Sequence, residues 1–343
     1  MNPKVSIICI TFNQEKFIRK ALDSFLMQET EFRIEVLVHD DASTDGTPKI
    51  IKEYAKKYPQ IIKPIFEQEN QYKKGTFQFV NDMLTMAKGR YIAMCEGDDY
   101  WLDSKKLQKQ VDFLEKNKDY SICFHNVEIF YEDGSQESQI SQISSRAQGA
   151  HSLTISNLLK DNFIYTCSVM YRAQPYDTLV NSVLPQDLYL HLFHAKHGKI
   201  GFLNDVMARY RKQSNGVWWD SSKQMDNIYR KYRFQMTNLF SVLLTMFQDN
   251  RRYKTIINQH LNHLFISFTN IDKKYKTTLF KDTARDFPEL VNRFVLYREE
   301  LINELRVENR RLTDEIDTLF PLTQELEAVK SSHWYRLYSM KKR

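Results

Sequence analysis

Three carboxylates lie close together in residues 95–101, which read CEGDDYW. They are Glu96, Asp98 and Asp99, and they follow the apolar run YIAM of residues 91–94, which is typical of a buried strand. Adjacent carboxylates repel one another, and burying them without a cation is costly. Because oxygen ligands suit Mg²⁺ or Mn²⁺, the pattern predicts a site for one of these hard cations. An exposed acidic turn is the alternative interpretation.

A second acidic pair, Asp40 and Asp41, ends another strand-like run, EVLV of residues 35–38. A carboxylate at such a position can accept hydrogen bonds from the N–H of a nucleobase or from ribose hydroxyls. Asp45 or Thr47 is suited to cap the helix that follows. A capped turn without a ligand explains Asp45 well but explains the acidic pair less well, so the pair is a second candidate binding site.

Residues 1–130 alternate between runs with the period of a strand and runs with the period of a helix. Strands are predicted at residues 5–10, 34–39, 61–66 and 90–95. Helices are predicted at residues 15–27, around 50–54 and at 77–87. This alternation predicts an α/β fold with a mostly parallel sheet flanked by helices. Since ligands bind at the carboxyl ends of parallel strands, residues 11–13, 40–41 and 96–99 are expected to lie along one edge of the sheet.

The rest of the chain predicts more strands and then a long helical part. The strands are expected at residues 122–131, 163–171 and 200–210, with a helix at 188–196. Residues 135–152 are rich in Ser and Gln, which predicts a mobile loop. Beyond residue 220 the pattern is helical, and it ends in a coiled-coil-like stripe that could pair two chains. The stripe consists of Leu301, Leu305, Leu312, Ile316 and Leu319. Two domains are therefore predicted, a sheet domain at 1–220 and a helical extension at 221–343.

Composition limits the function classes. The formal net charge of +6 is modest and the basic residues are scattered, which argues against a nucleic-acid partner. The four cysteines form no CxxC pair and are expected to be buried, reduced thiols. Neither a signal peptide nor a membrane-spanning run is recognised, so we expect a cytoplasmic protein, free or bound peripherally at the inner face of the cell membrane. The aromatic and basic tail at 331–343 is the candidate membrane contact, with a frayed tail as the alternative.

Five segments taken together resemble the family 2 glycosyltransferases, which have the GT-A (Rossmann-like) fold. They read VSIICITFN from residue 5, HDDASTDGT from 39, AKGRYIAMCEGDDYW from 87 with KLQKQVDFL after it, DLYLHLFHAKHG from 187, and MARYRKQSNGVW from 207. Each segment alone has low specificity, but all five occur in the expected order over residues 3–220. The resemblance implies a nucleotide-sugar-dependent glycosyltransferase of the hexosyltransferase type, working in bacterial surface-polysaccharide synthesis with a UDP-linked donor.

The resemblance implies how the nucleotide is bound. Thr11 and Asn13 close the first strand and are expected to border the nucleotide pocket. Asp41 is placed to bind a uracil-type base, and Asp40 is placed to support it. These four residues lie in two of the three segments that are expected at the ligand-binding edge of the sheet.

The resemblance also implies a metal site. Asp98 and Asp99 match the DxD-type motif, which contacts the ribose and holds Mn²⁺ or Mg²⁺ on the diphosphate. Asp99 is the preferred direct ligand, Asp98 is the other candidate, and Glu96 is expected behind them. Arg211 is expected to bind the donor diphosphate. Gln213 stands where relatives often have a histidine, and its amide oxygen would be a weaker third metal ligand.

Asp187 matches the catalytic base of the family, an acidic residue just before an apolar helix. An acceptor hydroxyl is a poor nucleophile, and a positioned carboxylate removes its proton as the bond to the sugar C1 forms. A single base on the face opposite the leaving group implies direct displacement with inversion. A helix N-cap after Pro185 is the alternative role for Asp187.

Two further groups of residues allow a functional and a structural interpretation. Three histidines recur every third residue, namely His191, His194 and His197. In a helix the first and the third lie about 120° apart around the axis and about 9 Å apart along it, which does not favour one shared metal ion, so we expect solvated or cleft-lining side chains. Three tryptophans are candidates for stacking on a sugar ring, with core packing as the alternative, namely Trp101, Trp218 and Trp219.

The acceptor implied by the family is a hydroxyl of a surface glycan or of a lipid-linked glycan. Two other functions stay open. A sugar-1-phosphate nucleotidyltransferase also uses a metal and a nucleotide, but its phosphate-binding loop is normally rich in glycine, and residues 11–16 contain none. A non-catalytic scaffold for glycan assembly, with a degenerate donor site, is favoured only by Gln213.

Overall fold

The structure is a computed structural model of the chain. It describes residues 2–141, 153–176, 179–213, 221–299, 302–303 and 306–311, with the backbone alone at 221–224. Contacts divide the chain into two compact units, Met1–Asp286 and Phe287–Arg343. The first unit contains the sheet and the helices that cover it, and it is where every described candidate site residue lies.

A single mixed sheet organises the first unit. In sequence order its strands are β1 (Val5–Thr11), β2 (Ile34–Asp40), β3 (Ile62–Phe66), β4 (Tyr91–Met94), β5 (Tyr100–Trp101), β6 (Tyr120–Tyr131), β7 (Gln139–Ile140), β8 (Met170–Arg172) and β9 (Lys199–Lys212). Their spatial order is β3-β2-β1-β4-β8-β6-β9-β5, and β7 pairs with the outer part of β6. The pairs β3–β2, β2–β1, β1–β4 and β6–β9 are parallel, and the remaining pairs are antiparallel. The predicted α/β architecture with a mostly parallel sheet is confirmed.

The parallel half of the sheet brings the predicted ligand-binding segments to one edge. In the register of β1 and β2, Thr11 is opposite Asp40, so both strands end at the same level. Strand β4 lies on the other side of β1 and ends at Met94, which pairs with Ile8. The side chains of these strands are almost all buried, because helices cover both faces of a parallel sheet.

Five helices are interleaved with strands β1 to β6. They are α1 (Ile18–Leu26), α2 (Thr47–Lys57), α3 (Gln71–Lys74), α4 (Gln78–Met86) and α5 (Lys106–Lys116). Helix α1 shows why they pack on the sheet: Ile18, Ala21, Leu22 and Phe25 recur at spacings of three and four and are fully buried. Helix α3 was not expected from the sequence, since it has only four residues and no apolar stripe.

The segment before β8 differs from the prediction. A strand was expected at 163–171, but the chain forms a 3-10 helix at Thr166–Ser168 and extends into a strand only at Met170. The backbone of this turn bonds to side chains instead of to a neighbouring strand. The carbonyl of Cys167 accepts the indole N–H of Trp101 at 2.9 Å, and the carbonyl of Ser168 accepts the amide of Gln110 at 2.9 Å.

Helices make up the later part of the first unit. They are α6 (Ile155–Lys160), α7 (Gln186–Ala195), α8 (Ser221–Met246), α9 (Arg251–Tyr275) and α10 (Leu279–Asp286). Helix α8 has a kink at Tyr232, and α9 packs against α6, α8 and α10. The helical character predicted after residue 220 is confirmed up to residue 286. The division of the chain into domains at residue 220 stays a prediction.

The second unit is helical at residues 288–299, 302–303 and 306–311. The five apolar residues of the predicted coiled-coil-like stripe lie outside the described residues, as do the tail at 331–343 and most of the predicted loop at 135–152. The described part of that loop contains the short strand β7. Among the helices that the structure describes, none combines the length and the apolar character needed to span a membrane.

Candidate functional site

The acidic turn after β4 packs directly against the end of β1. The backbone N–H of Gly97 donates to the carbonyl of Ile10 at 2.9 Å. A Cβ atom on Gly97 would lie 2.5 Å from Oε1 of Gln14 and 2.9 Å from Cβ of Thr11. Such distances leave no room for a side chain, so glycine is required between the carboxylates of the turn. The close approach places Glu96, Gly97 and the aspartates beside the end of the central strand.

Asp99 is held inside this turn. Its Oδ1 accepts the backbone N–H of Arg211 at 2.8 Å, and its side chain is buried. Its Oδ2 is buried and receives no hydrogen bond from a nitrogen or oxygen of the described residues, and the weakly donating thiol of Cys167 lies beside the carboxylate. Burial, with the charges of Asp98 and Glu96, raises the pKa of Asp99 well above its ordinary value. A cation at Oδ2 would relieve this unfavourable environment of the carboxylate.

Asp98 contacts two residues from the end of β9. Its Oδ2 accepts the side-chain amide of Gln213 at 2.7 Å, and its backbone carbonyl accepts Nε of Arg211 at 2.8 Å. Burial raises the pKa of Asp98, and the Gln213 bond and the Arg211 charge oppose that shift. The structure therefore brings together Asp98, Asp99, Arg211 and Gln213, as predicted from segments more than a hundred residues apart.

The pairing of β5 with β9 makes this meeting possible. Tyr100 is opposite Arg209 in the antiparallel register, which places the acidic turn level with the end of β9. The guanidinium of Arg211 lies between the rings of Phe17 and Phe130, at 4.2 and 4.6 Å from their centroids, and forms an ion pair with Glu132. These contacts fix a nearly buried cation beside the acidic turn, where a diphosphate would need one.

Asp187 lies near the acidic turn, close enough for its charge to act on Glu96. It lies in the first turn of α7, and its Oδ2 accepts the side-chain amide of Asn162 at 2.8 Å. Burial raises the pKa of Glu96, and the charges of Asp98 and then Asp187 add to that shift. Glu96 is thus close enough to both aspartates to be affected by each. Pro185, and not Asp187, occupies the N-cap position, so the alternative role for Asp187 as the helix cap is wrong.

The acidic pair after β2 is engaged with backbone groups. The two carboxylate oxygens of Asp41 accept the backbone N–H groups of Gln71 and Tyr72, at 2.7 and 3.1 Å, and so hold the start of α3. Oδ2 of Asp40 accepts the N–H of Ser43 at 3.1 Å, while its buried Oδ1 has no hydrogen-bond partner among the described residues. The structure thus gives Asp41 a structural role that sequence reasoning missed, and its contact with a base stays a prediction.

Thr11 and Asn13 connect the end of β1 to the loop after β2. The backbone N–H of Asn13 donates to Oγ of Ser43 at 2.8 Å, and Oδ1 of Asn13 accepts the N–H of Thr44 at 2.8 Å. Asn13 has a φ of 51°, in the left-handed region that asparagine tolerates better than most residues. The hydroxyl of Thr11 is buried without a hydrogen-bond partner among the described residues. A polar ligand at this edge would satisfy it.

The donor set fits a hard cation that is shared with a ligand. Across the described residues, no three His, Cys, Asp or Glu side chains gather as a complete metal site. Mg²⁺ is usually held by one or two carboxylates together with phosphate oxygens and water, and Mn²⁺ also prefers oxygen ligands. Asp98 supplies a partly buried carboxylate and Asp99 a buried one, and Oδ2 of Asp99 has no hydrogen-bond partner among the described residues. The residues therefore fit Mn²⁺ or Mg²⁺ when a diphosphate is also present.

The histidines of α7 are not solvated. His191 and His194 are both fully buried, and the ring of His194 stacks on Tyr171 with centroids 4.1 Å apart. Nδ1 of His191 is 2.6 Å from the hydroxyl of Tyr171, and its Nε2 is 3.2 Å from the carbonyl of Ile164. Burial lowers the pKa of both histidines, so the neutral form is favoured. The expectation of solvated or cleft-lining side chains is wrong for these two. Every residue of α7 from Tyr189 to Ala195 is buried, so both rings lie in the core.

Trp101 belongs to the core and not to a sugar site. Its side chain is 1% exposed, and its ring packs edge-on against Phe25 with centroids 4.8 Å apart. Core packing, the alternative interpretation, is therefore the right one for Trp101. Trp218 and Trp219 lie outside the described residues. The four cysteines are buried and free, as predicted.

A buried lysine behind the acidic turn was missed by sequence reasoning. Nζ of Lys106 lies 4.1 Å from the Trp101 ring and donates to Oε1 of Gln110 at 2.7 Å. Gln110 in turn bonds the turn that carries Cys167, the neighbour of Asp99. Burial lowers the pKa of Lys106 to about 8. The sequence signal is the segment KLQKQVDFL, in which a lysine and a glutamine four residues apart share one helix face.

Comparisons with known proteins identify the family of this chain. The sequence profile described as "Glycosyl transferase family 2" matches residues 6–179. An uncharacterised protein of Mycobacterium tuberculosis, Rv1520, is 41% identical over 256 residues, which are 74% of this chain and 72% of that protein. The putative teichuronic acid biosynthesis glycosyltransferase TuaG of Bacillus subtilis is 28% identical over 67% of this chain and 88% of its own length.

One further relative and one solved structure complete the comparison. WfgD of Escherichia coli, described as a UDP-Glc:alpha-D-GlcNAc-diphosphoundecaprenol beta-1,3-glucosyltransferase, is 28% identical over 64% of this chain and 82% of its own length. The crystal structure of S. aureus TarS 1–349 in complex with UDP-GlcNAc is similar with a TM-score of 0.51 and 19% identity, covering 87% of this chain and 92% of that one. This likeness supports the GT-A fold. With a matching profile over half of its length and a relative at 41% identity, the chain belongs to glycosyl transferase family 2.

Proposed function

We propose that the protein transfers a sugar from a nucleotide-sugar to an acceptor hydroxyl by direct displacement with inversion, with Asp187 as the base. The observation that carries the proposal is the position of Glu96, which is close to both Asp98 and Asp187. The candidate metal-binding carboxylates and the candidate base therefore lie near the same carboxylate, which supports a shared site for them. A transferase needs this arrangement, because the leaving group and the attacking hydroxyl lie on opposite sides of the same C1 atom.

Asp98 and Asp99 would hold Mn²⁺ or Mg²⁺ together with the donor diphosphate, and the cation would neutralise charge on the leaving group. Arg211 would bind the same diphosphate from the end of β9. The amide nitrogen of Gln213 bonds Asp98, which leaves its oxygen for the metal or a phosphate. This geometry supports Gln213 as a member of the site in the position where relatives often have a histidine.

Asp187 would take the proton of the acceptor hydroxyl while the bond between that oxygen and C1 forms. The bond between C1 and the phosphate oxygen breaks in the same step, and the nucleoside diphosphate leaves with the electron pair. The amide of Asn162 donates to Oδ2 of Asp187 and so fixes the plane of the carboxylate. Positioned general-base catalysis of this kind contributes roughly 10²–10⁴-fold to a rate.

The donor and acceptor classes follow from the relatives and from the edge of β1 and β2. WfgD is described as using UDP-Glc, and the TarS structure contains UDP-GlcNAc. TuaG is described as a putative glycosyltransferase of teichuronic acid biosynthesis, and the name of WfgD gives alpha-D-GlcNAc-diphosphoundecaprenol as its acceptor. We therefore propose a UDP-linked donor, bound along Thr11, Asn13 and the Asp40–Asp41 pair, and an acceptor that belongs to a surface glycan or its lipid-linked precursor.

The test is hydrolysis of a panel of nucleotide-sugars by the purified protein, with Mn²⁺ and with EDTA. Water can replace the unknown acceptor, so release of the nucleoside diphosphate can be measured without knowledge of the acceptor. Metal-dependent release from one donor, lost in Asp99→Asn, is the expected result. The absence of both turnover and calorimetric binding of UDP with Mn²⁺ would contradict the proposal and favour the scaffold function.

A further inference from the structure

A cavity of about 330 Å³ lies beside Asp187 in the first unit. Helix α6, the start of α7 and the helices α8 and α9 form its wall. Most of the wall is apolar, with side chains that include Leu158, Leu188, Leu239, Leu243, Ile257 and Leu264. Five of these six leucine and isoleucine side chains are buried, and Leu188 is partly buried. A cavity of this size falls in the range of sites for small ligands, which are usually lined by apolar side chains.

The cavity adjoins the proposed base. Asn162 lines the cavity and donates its amide to Oδ2 of Asp187 at 2.8 Å. Pro185 and Leu188, which stand on either side of Asp187 in the sequence, also line it. A molecule that fills the cavity therefore ends within reach of the carboxylate that would activate the acceptor. Among the described residues that line the cavity, none belongs to the acidic turn, so the cavity is separate from the proposed donor site.

The edge of the cavity is polar, in contrast to its wall. Lys160, Asp161 and Asn162 follow α6 there, and His260 and His263 lie one turn apart on α9. Burial lowers the pKa of His260, which favours its neutral form. Both signs of charge are present at the edge, so it suits hydroxyl and amide groups as well as a single charge. An apolar interior with a polar edge matches an amphipathic molecule.

We propose that this cavity binds the hydrocarbon chain of a lipid acceptor, so that the polar head of that acceptor is held against Asp187. The inference rests on the proposed function, and it names the acceptor class and where its chain binds. A free glycan carries hydroxyl groups around its rings and gains little from a wall of leucine and isoleucine side chains. A chain of methylene groups gains affinity with each group that leaves water.

The first experiment measures binding of single-chain glucosides, used below their micelle concentrations, by calorimetry. Hexyl, heptyl and octyl glucoside differ only in the length of the chain. The dissociation constant should fall by roughly fourfold with each added methylene until the cavity is full. A diazirine-bearing octyl glucoside should cross-link to peptides that contain residues 236–243 or 257–264. Equal affinity for the three glucosides, or cross-links elsewhere on the protein, would overturn the inference.

The second experiment fills the cavity. Leu239→Trp places a larger side chain in the wall, and we expect it to weaken octyl glucoside binding at least tenfold. Ile266→Trp is the matched control, because Ile266 is on α9 but is 44% exposed, and it should bind as the wild type does. Both variants should still release nucleoside diphosphate from the donor, since neither residue is at the donor site. Should Leu239→Trp fail to fold, the cross-linking of the wild type decides.

The two proposals fail in different ways. A protein that hydrolyses a donor but binds the glucosides without dependence on chain length keeps the proposed function and loses the lipid site. A protein that binds the glucosides with the expected dependence but neither binds nor hydrolyses any donor loses the proposed function, and the lipid acceptor with it.

Discussion

Replacing Asp187 by asparagine removes the proposed base and changes little else. Asparagine has the shape of aspartate, and its carbonyl oxygen can still accept the amide of Asn162, which is 2.8 Å from Oδ2. A hydrogen bond to a charged group is worth about 1.5–3 kcal/mol and a neutral one about 1 kcal/mol, so the fold should lose about 1 kcal/mol. The loss is offset in part, because the charge of Asp187 contributes to the raised pKa of Glu96.

The loss in catalysis should be far larger. Removing a general base lowers the rate by roughly 10²–10⁴-fold, which corresponds to about 3–5 kcal/mol of transition-state stabilisation. Since the carboxylate is not among the proposed donor ligands, the affinity for the nucleoside diphosphate and metal should stay within twofold of the wild type. The Asp187→Asn variant should therefore lose kcat and keep its donor binding.

The assay follows transfer to an acceptor glycoside, or donor hydrolysis where no acceptor is known, together with calorimetric binding of UDP and Mn²⁺. Asp112→Asn is a matched control, because Asp112 also accepts a side-chain amide, that of Gln108 at 2.8 Å, but is exposed on α5. A kcat for Asp187→Asn within a factor of ten of the wild type, with Asp112→Asn unchanged, would refute the assignment of the base.

Two further predictions concern the acidic turn and the lysine behind it. Gly97→Ala places a Cβ 2.5 Å from Oε1 of Gln14, so we expect a loss of about 1–3 kcal/mol in stability and weaker binding of UDP with metal. Gly134→Ala is the control: its φ of 67° costs about 1–2 kcal/mol of backbone strain, but the added Cβ meets nothing within 4 Å, so binding should be kept. Equal binding by the two variants in calorimetry would be the contrary result. Burial lowers the pKa of Lys106 from 10.5 to about 8. Between these values the unfolded chain binds more protons than the folded chain, so Lys106 makes the free energy of unfolding rise with pH, by about 3 kcal/mol at most. Urea unfolding near pH 7 and near pH 10 should show a smaller rise in the free energy of unfolding for Lys106→Met than for the wild type. The same rise in both proteins would show that folding does not lower the pKa of Lys106.

The sequence predicted the parallel half of the sheet because its signals are strong and local. Strands β1, β2 and β4 are mostly apolar runs followed by polar residues, and in the segments between them the apolar residues recur at helical spacing. The edge where they end could then be inferred from strand direction alone. The fold and the presence of Asp98 and Asp99 at that edge needed no knowledge of distant contacts.

Features that depend on distant contacts could not be predicted in this way. The backbone of Thr166–Ser168 bonds to Trp101 and Gln110, and those partners override the strand propensity of the local sequence. The attachment of α3 to Asp41 depends on two backbone N–H groups that no side-chain pattern reveals. The burial of His191 similarly depends on Tyr171, twenty residues away.

The two-residue strand β5 has a consequence for recombination between relatives. It pairs Tyr100 with Arg209, and this register, together with the hydrogen bonds of Asp98 and Asp99 to Arg211 and Gln213, sets the acidic turn against the end of β9. The matched family profile ends at residue 179, before Asp187, Arg211 and Gln213. A chimera that joins the first 179 residues of this chain to the remainder of a relative would therefore take the acidic turn from one parent and the residues that face it on β9 from the other. In such a hybrid, β5 and β9 come from different parents. Its donor binding would therefore depend on whether both parents share the two-residue register that joins these strands.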